Sequence, residues 1–319
     1  MKLTPAEILF LSSCNQREVN NKKYSGYWSY KYNLNPVSTL SKLILQGWLI
    51  EKIDLERNLN KSKLDELKLV AKKYSLVPKG NKSSIIDDLL KNVPNEDLKG
   101  IFKEKILELS LEAKELVQSN KHINFFHSNP DIATLEEVHN YKLMNLECNN
   151  FEIALYFLEK KLKTELTSNN WSLSCGVLCK ISYFERLNKN YEKSLTNLLK
   201  AIVVTLSGLE NGFNLKYLAI YSDGYFPYKS SLHTITNLIP QLVELQETTQ
   251  IKDDVLKEKL IFSASEMNLP FQMFTLEEMV DIIYFEKSNK TAKLNSLYNF
   301  AKKRMTNSYS LDSIDLNFP

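Results

Sequence analysis

Glycine is scarce: eight in 319 residues. Turns between short strands consume glycine, so this count argues against an extended all-β or βαβ design. Cysteine is scarcer still, at four. That is too few for a disulfide framework and, with no export signal, points to a reducing cytosol. No apolar run approaches the ~20 residues that span a bilayer. The opening MKLTPAEILFLSSC has one lysine and a short apolar stretch, better explained as a helix burying Leu3, Ile8, Leu9 and Leu11 than as a signal peptide. No glycine-rich phosphate loop and no GxSxG element occurs. The net charge of +3 is too small by itself to indicate a polyanionic partner.

What is present is helix-forming. Leu, Lys and Glu are abundant, and Asn is available for caps and turns. The expectation is a mainly α, cytoplasmic protein with an ordinary soluble composition, 43% hydrophobic and 25% charged. The charge is uneven. Residues 1–100 hold 17 Lys and Arg against 11 Asp and Glu, so the front third is basic and the rest neutral to acidic.

Three regions follow from pattern. Residues 1–60 form an N-terminal helical module. Thr4 and Pro5 predict a helix start, Asn35-Pro36 a second one running to Gly47 as its terminating glycine, and Trp48-Leu49-Ile50 a short strand. Helix followed by Gly-Trp-Leu-Ile is how a winged-helix module leaves its last helix. KKYSGYWSYKYNLN (22–35) carries too many aromatics and β-formers to predict a helix. Residues 61–96 read as two short helices, the second closed by Asn92-Val93-Pro94. Residues 97–319 read as helical almost throughout. ThrLeuGluGlu at 134–137 and at 275–278 each place Thr and Glu three apart, a capping box.

The chemistry-bearing residues do not assemble a catalytic set in sequence. Cys175 and Cys179 are four apart on one helix and read as a buried face. His122 and His127 share no helical face. His139, beside Glu136 and Glu137, reads as a surface pair, and His233 is isolated. No cofactor and no metal ligand set is expected, and the protein reads as non-enzymatic. In residues 213–229, Tyr225, Phe226 and Tyr228 surround an Asp223-Gly224 turn. Exposed, they stack bases or seat a peptide; buried, the expected state, they close a helical layer.

Residues 61–91 carry the strongest motif: KSKLDELKLVAKKYSLVPKGNKSSIIDDLLK. Leu64, Leu67, Val70, Ala71 and Tyr74 share one helical face, and Lys68 and Lys72 another. Leu76 plugs the turn, Gly80 permits a bend that other residues strain, Asn81 caps, and Ile85, Ile86 and Leu89 face back. This resembles the SAP motif, a small helix–turn–helix unit associated with DNA binding: Leu67-Lys68 opens it and Gly80-Asn81-Lys82-Ser83-Ser84-Ile85-Ile86-Asp87-Asp88-Leu89 closes it without a gap. The resemblance implies phosphate contacts by Lys68, Lys72, Lys73, Lys79, Gly80, Asn81, Lys82 and Ser83. A lysine at a helix start opposes the macrodipole, and a phosphate there would be a reason for it. Asp88 departs from the family's usual arginine.

Two further resemblances are looser. Thr4-Pro5-Ala6-Glu7-Ile8 and Gly26-Tyr27-Trp28-Ser29-Tyr30 resemble a segment found beside SAP-like motifs in uncharacterised bacterial and phage proteins, which implies a cytosolic bacterial or mobile-element protein. NNFEIALYFLEKKL (149–162) aligns with KNYEKSLTNLLKAI (189–202) at an offset of 40 residues. With 172–187 as partner helix, residues 134–205 resemble tetratricopeptide-like hairpins, although Glu185 stands where that family favours an aromatic and no proline follows. The resulting expectation is a DNA-binding recruitment or regulatory protein whose helical body meets another protein or itself. The alternative is a protein-interaction or phage–host factor that touches no DNA; an enzyme with an unrecognised site ranks third.

Overall fold

In the computed structural model, which describes residues 2–211 and 235–308, the chain is mainly helical with one two-stranded sheet. Among the described residues no helix is long and apolar enough to cross a membrane. The chain divides into two compact units, residues 1–144 and 145–319.

The first unit begins where capping chemistry directs it. Thr4 and Glu7 close a capping box at α1 (Pro5–Cys14), and Leu3, Ile8, Leu9 and Leu11 are all buried. α2 (Tyr27–Tyr32) is a helix despite its aromatics. Trp28, 4% exposed, packs edge-on against Phe10 at 4.9 Å, and Asn33 ends the helix in the left-handed region. Tertiary packing of one tryptophan outweighs weak helix propensity here. Asn35 caps α3 (Pro36–Leu45) through the amides of Val37 and Ser38, and Gly47 follows its end at φ +74°.

β1 (Leu49–Ile53) pairs antiparallel with β2 (Lys105–Leu109), Leu49 opposite Leu109 and Ile53 opposite Lys105. Residues 16–19 line the other edge of β2: the Gln16 and Val19 amides donate to the Leu107 and Lys105 carbonyls, and the Leu107 amide donates to Arg17. Between the strands lies a helical insertion of α4 (Leu55–Lys61), α5 (Leu64–Lys73), α6 (Lys82–Asn92) and α7 (Asn95–Ile101). It has its own core, centred on Leu59, Leu67, Ile85, Leu89 and Leu98, all at most 1% exposed. Asn58, buried on α4, clamps the insertion shut by donating to the carbonyls of Phe102 (3.0 Å) and Glu104 (2.8 Å). α8 (Leu111–Ser119), α9 (Lys121–Ser128) and α10 (Leu135–Met144) complete the unit against α1.

The second unit is a set of antiparallel hairpins: α11 (Asn150–Thr167), α12 (Trp171–Leu187), α13 (Tyr191–Ser207), α14 (Ile239–Thr249), α15 (Asp253–Met267), α16 (Leu276–Lys287) and α17 (Thr291–Ser308). Four of its turns are built alike. Asn169, Lys189, Gln250 and Asn289 take the left-handed conformation, and the next amide bonds back across the turn, as Asn170 to Glu165 and Asn190 to Glu185, both 2.8 Å. The internal repeat is a packing repeat: Ala154 and Ser194, Leu155 and Leu195, Leu158 and Leu198 are buried in α11 and α13, which both pack on α12. From Ala201 to Ser207 every residue of α13 is buried, so this helix is the hub around which α12, α14 and α15 gather. Glu185 is 3% exposed and accepts a 2.7 Å bond from Asn190, so the repeat's unusual acid serves the turn.

Candidate nucleic-acid interface

The hairpin α5–turn–α6 forms from local rules. α5 ends in a Schellman closure. The Leu76 amide donates to Ala71 (2.9 Å) and the Ser75 amide to Lys72 (3.0 Å), with Ser75 at φ +58°. The motif places Leu76 back against the hairpin core, beside Tyr74. Gly80 sits at φ +88°, a left-handed conformation that strains other residues, and a Cβ there would also crowd the Ser84 hydroxyl at 3.1 Å. Asn81 caps α6 through the Ser84 amide at 3.0 Å. Leu67, Val70 and Ala71 of α5 face Ile85, Ile86 and Leu89 of α6, all buried, while Leu64 is 37% exposed at the mouth.

Charge is segregated along this hairpin. Asp65 and Glu66 lie in the first turn of α5; Lys72 and Lys73 lie in its last, where cations suit the helix C-terminus. Lys72, Lys73 and Lys79 are exposed and Lys68 half-buried. Among the described residues Lys68, Lys72 and Lys79 have no carboxylate within ion-pair distance. Among the described residues Lys73 meets only the ring of Tyr74, 6.0 Å away. Lys82 is different. Its ammonium donates to the Asn60 carbonyl at 2.6 Å, near the C-terminal end of α4. A lysine at the start of α6 therefore has a structural reason of its own: it ties α6 to the end of another helix, whose carbonyls attract a cation. Ser83 is exposed, and Asp87 and Asp88 are exposed further along α6.

A cleft of 910 Å³ beside the insertion does not extend this basic surface. It is lined by Lys61, Lys63 and Lys103 but also by Glu18, Asp65, Glu66 and Glu104, and Lys61 pairs with Glu18.

The other sequence candidates are placed as follows. His139 is 7% exposed rather than on the surface. Its Nδ1 lies 3.1 Å from His122 Nε2, and the two rings stack within 13° of parallel. Helix α10 turns that face toward α9, which sequence spacing alone does not reveal. Cys175 and Cys179 belong to the buried side of α12, with the Cys175 thiol 3.4 Å from the Thr205 hydroxyl. The hydrogen bond with Cys179 and then burial hold the Cys175 thiol protonated, well above the usual thiol range. Glu278, the acid of the 275–278 capping box, is also engaged by Arg304 at 2.6 and 2.7 Å, so this carboxylate is structural. Among the described residues no group of three or more His, Cys, Asp or Glu is placed to hold a metal. Tyr225, Phe226, Tyr228 and His233 lie outside the described residues. Comparison with protein-family models, curated proteins and solved structures finds no match to this chain.

Proposed function

We propose that the first unit binds duplex DNA through the α5–α6 hairpin and that the helical second unit recruits a protein partner or a second copy of the chain, so that the protein acts in recruitment or regulation at DNA rather than in catalysis. The supporting observation is the cluster of Lys72, Lys73 and Lys79 at the turn end of an independently cored hairpin, exposed and unmatched by carboxylates among the described residues. Cations held on a rigid turn meet phosphates without reading bases. The SAP-like arrangement of Gly80, Asn81 and Ser83 adds unpaired amides at the start of α6, with Lys68 flanking. Lys82 contributes by fixing that helix start, since one of its protons is committed to Asn60. A bacterial or mobile-element setting is part of this reading.

The test is a fluorescence-anisotropy titration of a labelled duplex with the full chain at several salt concentrations. Three to four phosphate contacts predict a log–log salt slope of about −3 to −4. Lys72→Glu and Lys79→Glu each reduce the slope by about 1 and weaken binding at least about fivefold. The exposed Asp87 and Asp88 favour the competing reading, in which the hairpin is a spacer within a protein-interaction factor. No duplex binding at tens of micromolar protein in low salt would establish that reading instead.

A further inference from the structure

A second surface of the first unit carries chemistry that the hairpin does not use. From Val19 to Ile50 the chain has no carboxylate, while it holds Lys22, Lys23, Lys31 and Lys42. Lys42 is taken by Glu7 at 2.5 Å. Lys22, Lys23 and Lys31 are exposed, and among the described residues none has a carboxylate within ion-pair distance. Arg17 braces the loop that bears two of them. Its guanidinium donates to the carbonyls of Asn21 and Lys23 and lies 4.2 Å from the centre of the Tyr24 ring.

Tyrosines interleave with these lysines. Trp28 points into the core, so the residue two positions on, about 200° around the helix, must point out: Tyr30 is 82% exposed. Tyr27 and Tyr32 are half-buried and held in place by His127, with ring centres 5.7 and 5.8 Å from the imidazole. The Tyr32 hydroxyl lies 2.5 Å from His127 Nδ1. Burial pushes the Tyr32 phenol up to about 12 and holds the His127 imidazole below its usual range, so at neutral pH the hydroxyl donates to a neutral ring. Lys31 sits 5.2 Å from the centre of the Tyr32 ring.

We propose that α2 and the loop before it bind single-stranded nucleic acid, a base stacking on the outward ring of Tyr30 and the phosphates meeting Lys22, Lys23 and Lys31, while Tyr32, on the Trp28 side of the helix with its ring 5.7 Å from the indole, anchors α2. A duplex hides its base faces and offers nothing to an outward tyrosine; an unpaired strand offers both a ring and a charge at each nucleotide. An acidic peptide would match the lysines and leave the Tyr30 ring unused. The inference is independent of the hairpin, which reads duplex phosphates with other residues.

The experiment titrates the full chain into labelled oligothymidylate and oligouridylate of about 20 nucleotides, and into a duplex, by fluorescence anisotropy. Tyr30→Ala weakens single-strand binding at least about fivefold, the loss of one base stack, and leaves duplex binding unchanged. Tyr30→Phe retains the wild-type affinity, because a phenyl ring stacks as well. The exposed position makes misfolding of either variant an unsuitable explanation, and circular dichroism checks it. Lys22→Glu with Lys23→Glu flattens the salt dependence for the single strand. The proposal falls if neither strand binds at tens of micromolar in low salt, if Tyr30→Ala binds like wild type, or if a polyglutamate peptide competes as well as unlabelled oligothymidylate. It also falls if Lys72→Glu, rather than the α2 variants, removes single-strand binding. Failure of the hairpin reading would appear in the duplex titration alone.

Discussion

The His122–His139 pair shows how much one buried contact decides. Each imidazole is over nine-tenths buried, and a single hydrogen bond joins them, so one ring donates while the other accepts. A second proton would remove the acceptor and place charge where water cannot reach it. Burial first, then the facing His139 and the nearby Lys142, push the His122 imidazole down to about 4; burial and Lys2 lower His139 as well, against a small opposing pull from Glu136. In the unfolded chain both rings titrate near 6.5. Between these values the unfolded chain binds more protons than the folded one. The pair's contribution is therefore intact above about pH 6.5 and is lost as pH falls toward 4, amounting to ~3 kcal/mol for His122. In an NMR titration of the full chain the His122 ring signal keeps its neutral-form shift at pH 5.5, and thermal stability declines between pH 6.5 and 4. A His122 midpoint near 6.5 would refute the buried pair. Nothing in the sequence around Glu136-Glu137-Val138-His139 announces this, because which face of a short helix meets its neighbour is a tertiary fact.

At the scale of elements, the insertion between β1 and β2 depends on Asn58. Its side-chain amide satisfies two backbone carbonyls, Phe102 and Glu104, at the point where the chain re-enters the sheet. Asn58→Ala leaves both without that donor in a buried setting and costs about 2–3 kcal/mol. Asn60→Ala, two residues on and exposed, removes only a local bond to Glu56 and stays within about 0.5 kcal/mol. Urea midpoints compare the two. Hydrogen exchange of the amides at 105–107 reports the same event locally, rising only in the Asn58 variant; equal behaviour of the two variants would show that the sheet closes without the clamp. Legibility follows the same division between local and non-local. Helix starts at Thr4, Asn35, Asn81 and Thr275 stand in the sequence because a cap is made by residues two or three apart. The pair α5–α6 is legible for the same reason. Strand β2 is not: Lys-Ile-Leu-Glu-Leu suits a helix, and only its pairing with β1, across the whole insertion, makes it extended. Helix α2 reverses the error, since Trp28 finds Phe10 and the aromatics follow.

Over the whole molecule, the two candidate surfaces and the excess of basic residues lie in the first unit, whereas the hub helix α13, buried throughout its C-terminal half, lies in the second. The first unit has the apolar interior needed to fold by itself: Phe10, Leu11, Leu43, Leu49, Leu107 and Phe126 are at most 2% exposed, and the insertion adds its own cluster. The second unit's clusters around Leu198, Leu242, Phe274 and Met279, and around Cys175 and Leu178, are likewise drawn from its own residues. A chain ending after Met144 is therefore expected to give a cooperative thermal transition and to bind the labelled duplex within about threefold of the full protein, with the same salt slope, because that slope counts only the phosphates neutralised. Residues 145–319 alone are expected to fold without binding it. If the short chain folds and its slope falls by half or more, phosphate contacts must come from the second unit and the hairpin cannot carry the interaction. If affinity falls while the slope stays, the missing part acts through avidity, since joining two binding modules raises apparent affinity without adding a charge contact. Sedimentation at the same concentrations then decides whether the second unit supplies that gain by pairing with its own copy.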